Sequence, residues 1–161
     1  RVIARVLEEP IKEERAGNPP PLRVYYTEQR ALTFRGDLLR EGDTGEETVT
    51  LFRVRDRLTG ELAAPNSDSP VLLLSDSHGL VFSAGGDMHA SGAGLPELLA
   101  VGVSSTDVIA VRGSAARPAR INLYRRARGQ PGYLEGKRVI VWCFTVREFT
   151  GSEWGEVPLT R

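Results

Sequence analysis

The apolar run Val71-Leu72-Leu73-Leu74 ends in Ser75-Asp76-Ser77-His78-Gly79, and two chemistries start from that ending. Read as Asp-x-His, Asp76 and His78 are the opening ligands of a metal-dependent phosphoesterase. Read as an acid followed by a serine at a strand end, Ser77 is a nucleophile for an acyl carbon, provided a base takes its proton. The partners each chemistry needs separate the two. A two-metal site takes further Asp, Asn and His side chains to hold ions about 4 Å apart. The chain has 2 histidines in all. Asp87 and His89 come without a second acid at the expected offset, and Val111-Arg112-Gly113-Ser114 brings neither Asn nor His. The serine reading asks less and is preferred.

A nucleophile at a strand end needs a sheet to present it. Residues 69–76 hold five consecutive apolar or small residues without alternation, the pattern of a strand covered on both faces of a largely parallel sheet. Leu-Pro-Glu-Leu-Leu-Ala-Val-Gly-Val (95–103) reads as a short helix, residues 106–113 as a second buried strand, 116–129 as a helix and 137–144 as a third strand. Strand, helix, strand, helix, strand is a doubly wound pattern, in which ligands bind outside the carboxyl ends of the strands. Those ends carry Asp76-Ser77-His78, Arg112-Gly113 and Val146-Arg147-Glu148.

The N-terminal part has a different texture. Val2, Ile3, Val6 and Leu7 mark one face of an amphipathic helix that Pro10 ends or kinks, and residues 16–21 with three prolines form a linker. Residues 23–27 read as a short strand, 34–47 as polar and turn-rich, and 48–62 as a β-hairpin or edge strand with Val49, Leu51, Phe52 and Val54 as its apolar positions. The expected fold is α/β: a three-layer, SGNH- or flavodoxin-like, largely parallel sheet with helices on both faces, plus the N-terminal hairpin or edge insertion. The whole of 1–161 reads as a single domain lacking its N-terminal part, with a serine-block core at 70–158.

Lys plus Arg and Asp plus Glu both number 21, so no global field would gather nucleic acid, and no nucleic-acid partner is expected. The arginines at 117, 120, 125, 126 and 128 read as a solvated helix face, because aromatic interleaving for base stacking is absent. One cysteine excludes a disulfide framework and a cysteine-based zinc knuckle, and no cofactor is expected.

Val71 to Phe82, then residues 92–100, then 107–126, then 134–158 with Trp142-Cys143-Phe144-Thr145-Val146-Arg147-Glu148, follow one another in the order of blocks in a known family. In these segments the chain resembles the SGNH-hydrolase-like domain of the alginate O-acetyltransferase family. The resemblance implies an acyl-serine intermediate on Ser77, activation by a histidine–aspartate pair, and an oxyanion donor in the Ser77 backbone N–H. It implies a polysaccharide acceptor and an acetyl donor, partner proteins of a polysaccharide-secretion assembly, and a periplasmic or extracytoplasmic location. Ser75 stands where the family carries glycine. The family's Asp-x-His-Trp element, which precedes the serine block, has no counterpart here.

The base therefore comes from outside this sequence or from Asp87-Met88-His89, whose preceding Gly85-Gly86 turn can carry His89 over Ser77. His78 adjoins the serine, and successive side chains diverge, so it reads as a substrate-facing or turn-stabilising group. Further oxyanion donors are the Gly113 N–H and the Asn122 amide. Arg147 either anchors a uronate carboxylate or pairs with an acid such as Glu148, and Trp154 is a sugar contact or a packing anchor. Trp142 reads as core and Cys143 as a buried small hydrophobe. A non-catalytic carbohydrate-binding or scaffold domain of the same fold is the rival reading.

Overall fold

The strand Val71–Ser75 (here β3) is the most enclosed element, with every residue buried. Its neighbours are Asp107–Ala110 (β4) and Val139–Cys143 (β5), both parallel to it, in the order β4-β3-β5. Helix α1, Leu95–Val103, lies in the connection from β3 to β4, and helix α2, Ala116–Gly129, in that from β4 to β5. The chain thus steps to one side of β3 and returns to the other. Two crossovers of the same hand that run in opposite directions place their helices on opposite faces. The core shows this: Leu72 and Leu74 pack with Ile109, Ala119 and Leu123 of the α2 side, whereas Val71 packs with Val103 of α1 and with Val139 and Val141. Period-two alternation along β3 feeds both clusters, which is why its sequence is apolar without a break.

The computed structural model describes residues 23–35, 42, 45–112, 116–146, 148–151 and 156. The N-terminal helix and proline linker expected over 1–21, and part of the polar stretch 34–47, lie outside them.

Residues Tyr25–Phe34 (β1) and Glu47–Asp56 (β2) form an antiparallel hairpin, from Tyr25 opposite Asp56 to Phe34 opposite Glu47. The first strand is twice as long as the apolar signal at 23–27 suggests. Its remaining residues are mostly exposed and are held by the ladder and by cross-strand pairs such as Arg55 Nε to Glu28 Oε2 at 2.9 Å. Phe52 is an exposed residue of β2, while Leu51 and Val54 are buried. Tyr25 and Val54 pack with Ala63 and with Ala100 of α1, and Leu51 packs with Ala90 and Ala93, so the hairpin rests on α1 and on the loop before it.

The start of α1 is built by Glu97. Its Oε2 accepts from the Gly94 N–H at 2.9 Å, the return half of a capping box, and its Oε1 accepts from the Ser83 hydroxyl at 2.7 Å. Pro96 occupies the first turn, where a missing N–H costs nothing. Burial of Glu97 pushes its carboxyl above the ordinary value, and the three hydrogen bonds that hold the charged form only partly offset this.

The amino ends of the strands are fastened by a second polar cluster. Asp107, at the start of β4, is buried and pairs with Lys137 Nζ at 2.9 Å and Arg126 at 3.1 Å, and it accepts from the Tyr133 hydroxyl. Lys137 also donates to the Ser69 carbonyl at 2.8 Å. Burial, and then the Asp107 carboxylate, hold the Tyr133 phenol well above its usual range. Arg126 is therefore an ion-pair partner of the sheet rather than part of a solvated face.

Candidate functional site at the sheet's switch point

In the order β4-β3-β5 the chain reverses direction between β3 and β5, so the crevice of a doubly wound sheet opens at the carboxyl ends of those two strands. Asp76-Ser77-His78 leaves β3 there, and Phe144-Thr145 leaves β5. The Asp76 side chain joins the two loops. It is fully buried, its Oδ2 accepts from the Thr145 N–H at 3.0 Å, and its Oδ1 accepts from the His78 N–H at 2.9 Å. That last bond caps the 3-10 turn Ser77–Leu80. The same Oδ1 lies 3.1 Å from His78 Nδ1. The carboxylate thereby favours the tautomer with its proton on Nδ1 and leaves Nε2, on a half-exposed ring, as the basic nitrogen.

Ser77 follows directly. It is half-buried, and among the described residues neither its hydroxyl nor its N–H has a hydrogen-bond partner. The turn that carries it packs tightly on the strand end. A Cβ at Gly79 would lie 2.4 Å from Ser75 Oγ, so glycine at 79 is what admits serine at 75, where the resembled family has glycine.

Asp87 and His89 sit on the loop between this turn and α1. Asp87 forms an ion pair with Arg112, just past β4, which ties that loop to the rim of the sheet. His89 is exposed, takes a positive φ of 68°, and has its ring 4.6 Å from that of Phe34 and 6.0 Å from that of Phe82. Among the described residues no hydrogen bond joins Asp87 to His89, or His89 to Ser77. Asp76 and Thr145 join the ends of β3 and β5, and Arg112, just past β4, is joined to the loop that carries Asp87. Asn122 is half-buried in the second turn of α2, next to the core residue Leu123. Gly113, Arg147 and Trp154 lie outside the described residues.

Sequence reasoning weighed Asp76 as a metal ligand or as part of the serine block, and not as a residue that joins and caps the loops. The signal was present: an aspartate two residues before an N–H it can accept is a turn-forming and capping pattern. Trp142 corrects a second expectation. It is 41% exposed, because it lies on the side of edge strand β5 that no helix among the described residues covers, and its ring lies 5.0 Å from that of Phe144. Cys143 is half-buried and free.

Comparison with known proteins yields one solved structure. AlgX of Pseudomonas aeruginosa superposes with a TM-score of 0.49 at 12% identity, over 88% of this chain and 31% of that one. The chain thus spans about a third of that protein's length. No protein-family model matches the chain, and no curated protein does. Among the described residues no helix is long and apolar enough to cross a membrane.

Proposed function

We propose that this chain carries an acyl-transfer site of SGNH type, within a three-layer α/β arrangement, and that it moves or removes an acetyl group on a bacterial exopolysaccharide in the periplasm. The observation that carries the proposal is the Ser77 hydroxyl at the switch point, which has no hydrogen-bond partner among the described residues, beside a histidine whose tautomer a buried aspartate sets. The resemblance of residues 70–158 to the alginate O-acetyltransferase family supplies the polymer and the acetyl group.

In this reading Ser77 Oγ attacks the carbonyl carbon of an acetyl ester, and its proton leaves to a base. The tetrahedral intermediate collapses with cleavage of the bond to the leaving oxygen, which takes up that proton. A sugar hydroxyl, or water, then attacks the acyl-serine by the reverse sequence. The Ser77 N–H, with the Gly113 N–H or the Asn122 amide, faces the developing oxyanion. The base is His78. Adjacent side chains diverge, so Nε2 reaches the serine proton through one bridging water and reaches an incoming hydroxyl directly. Asp87 pairs with Arg112, and among the described residues no hydrogen bond joins it to His89, so this reading takes His78 rather than His89 as the base. The partners would be a polysaccharide acceptor, an acetyl donor and proteins of a secretion assembly.

The test is p-nitrophenyl acetate with the wild type, Ser77→Ala, His78→Ala and His89→Ala. A burst lost in the first two variants and kept in the third supports the reading. Equal rates in wild type and Ser77→Ala would instead favour a carbohydrate-binding or scaffold domain.

A further inference from the structure

Between Asp107 and Glu135 the chain has no acidic residue and carries six arginines, although opposite charges balance at 21 each over the whole sequence. Three of the six are engaged: Arg112 pairs with Asp87, Arg126 pairs with Asp107, and Arg120 is half-buried with an interaction of its own. Arg117, Arg125 and Arg128 are exposed, and among the described residues none of them has a carboxylate partner. In α2 they stand at i, i+8 and i+11, which at about 3.6 residues per turn puts them on one side of the helix, opposite the buried Ala119 and Leu123. The line from Arg117 to Arg128 is about 16 Å long, at ~1.5 Å per residue.

The needs of the helix do not explain this line. Arg117 stands in the first turn, where unpaired N–H groups make the helix end positive, so a cation there is unfavourable. With no acid on α2, the arginines give none of the i to i+4 support that an exposed helix takes from mixed charge. Arg128 is also held in place: its Nη1 donates to the Tyr124 hydroxyl at 2.8 Å, and its guanidinium carbon lies 5.8 Å from the centre of that ring. Such a face suits an anion that recurs along a line. An anionic bilayer would gain from three cations only roughly millimolar attachment, and the apolar stripe of α2 is buried in the core rather than free to insert. A carboxylated glycan strand repeats a planar anion from sugar to sugar, and each meets a guanidinium fork with two oxygens.

We infer that Arg117, Arg125 and Arg128 form a docking track for a carboxylate-bearing polysaccharide, which holds an acidic polymer along α2, outside the reaction site. The end of β4 from which the chain enters α2 lies at the same edge of the parallel sheet as the end of β3 that leads to Ser77. The inference rests on the exopolysaccharide reading for its occupant, and adds the charge of that polymer and a second place of contact.

The probe is a fluorescently labelled oligogalacturonate. Its binding to Ser77→Ala protein is read by anisotropy at low salt, so that no acyl chemistry intervenes. Arg117→Gln, Arg125→Gln and Arg128→Gln should each weaken binding roughly three-fold, and the triple variant about thirty-fold. Arg57→Gln, at an exposed arginine of the turn after β2, should leave binding unchanged. Thermal melts should show the triple variant at least as stable as its parent, since it loses only like charges. Binding should fall as salt is raised toward about 0.5 M, and labelled dextran, a neutral chain, should not bind. No binding of oligogalacturonate, binding unchanged in the triple variant, or dextran bound as tightly would overturn the inference. So would tighter capture of phosphatidylserine vesicles or duplex DNA through the same three arginines. A Ser77 that takes no acetyl would end the proposed function and leave the binding result standing, whereas a protein that acetylates on Ser77 but ignores oligogalacturonate would end the inference alone.

Discussion

The fully buried carboxylate of Asp76 reaches His78 Nδ1 at 3.1 Å while its other oxygen holds the Thr145 N–H at 3.0 Å. One side chain therefore joins the loops that leave β3 and β5, caps the turn that carries Ser77, and sets the orientation of the neighbouring imidazole. Asp76→Asn keeps the shape but puts an amide NH₂ where an acceptor was, against either the Thr145 or the His78 donor. A buried donor left unsatisfied costs about 1–3 kcal/mol. Urea unfolding of Asp76→Asn should show that loss, and NMR of His78 should show its tautomer preference relaxed.

Gly79 and Ser75 should be coupled. Gly79→Ala alone drives a methyl into Ser75, whose Oγ and Cβ would lie 2.4 and 2.6 Å away, an overpacking worth roughly 1–3 kcal/mol. Adding Ser75→Gly removes both atoms. The double variant should recover most of the loss in a thermal or urea melt, and additive losses would show that the close approach is not what fixes glycine at 79.

Glu97 predicts a pH dependence whose sign follows from its environment. Its folded-state value is raised above the ordinary 4.5, so the folded form holds the proton more tightly than the unfolded chain. The stabilisation from that proton is complete below 4.5 and is lost as pH rises through the raised value. Glu97→Gln can still accept from Gly94 and can donate to Ser83. Its stability relative to wild type should therefore improve as pH climbs from 4 toward 7, read by urea melts at each pH. Glu97→Ala, lacking the cap, should cost about 1–2 kcal/mol.

At the other end of the sheet, Asp107→Ala leaves Lys137 a buried cation with the Ser67 and Ser69 carbonyls and the Tyr133 ring but no carboxylate, and removes the ion-pair partner of Arg126 and the acceptor of the Tyr133 hydroxyl. Removing one partner of a buried pair costs about 3–5 kcal/mol. Because this cluster lies at the amino ends of the strands, away from Ser77, its loss should appear in the unfolding midpoint. Replacing Asp107 with Leu and Lys137 with Met together should recover much of that loss.

These cases show which parts of the molecule can be read without coordinates. β3 was legible because a strand buried on both faces must be apolar at every position, and 95–103 and 116–129 were legible because each buries one stripe. β1 was underread since most of its length is held by pairing to β2 rather than by burial, and pairing leaves little trace in composition. Trp142 was misassigned because alternation within a strand says which residues share a side, not whether anything covers that side. At the site, the place of Ser77 just past the end of β3 followed from the doubly wound pattern. The roles of Asp76 and Gly79 depend on contacts of a few ångströms between residues close in sequence, which spacing alone does not reveal.

The most direct test is to incubate the protein with an activated acetyl ester, quench in acid, and map the modification by mass spectrometry of the peptide spanning Ser77. The account predicts one acetyl group on that residue, absent from Ser77→Ala and strongly reduced in His78→Ala. An unmodified Ser77 peptide under conditions where ester is consumed, or acetyl that persists in the Ser77→Ala protein, would contradict it.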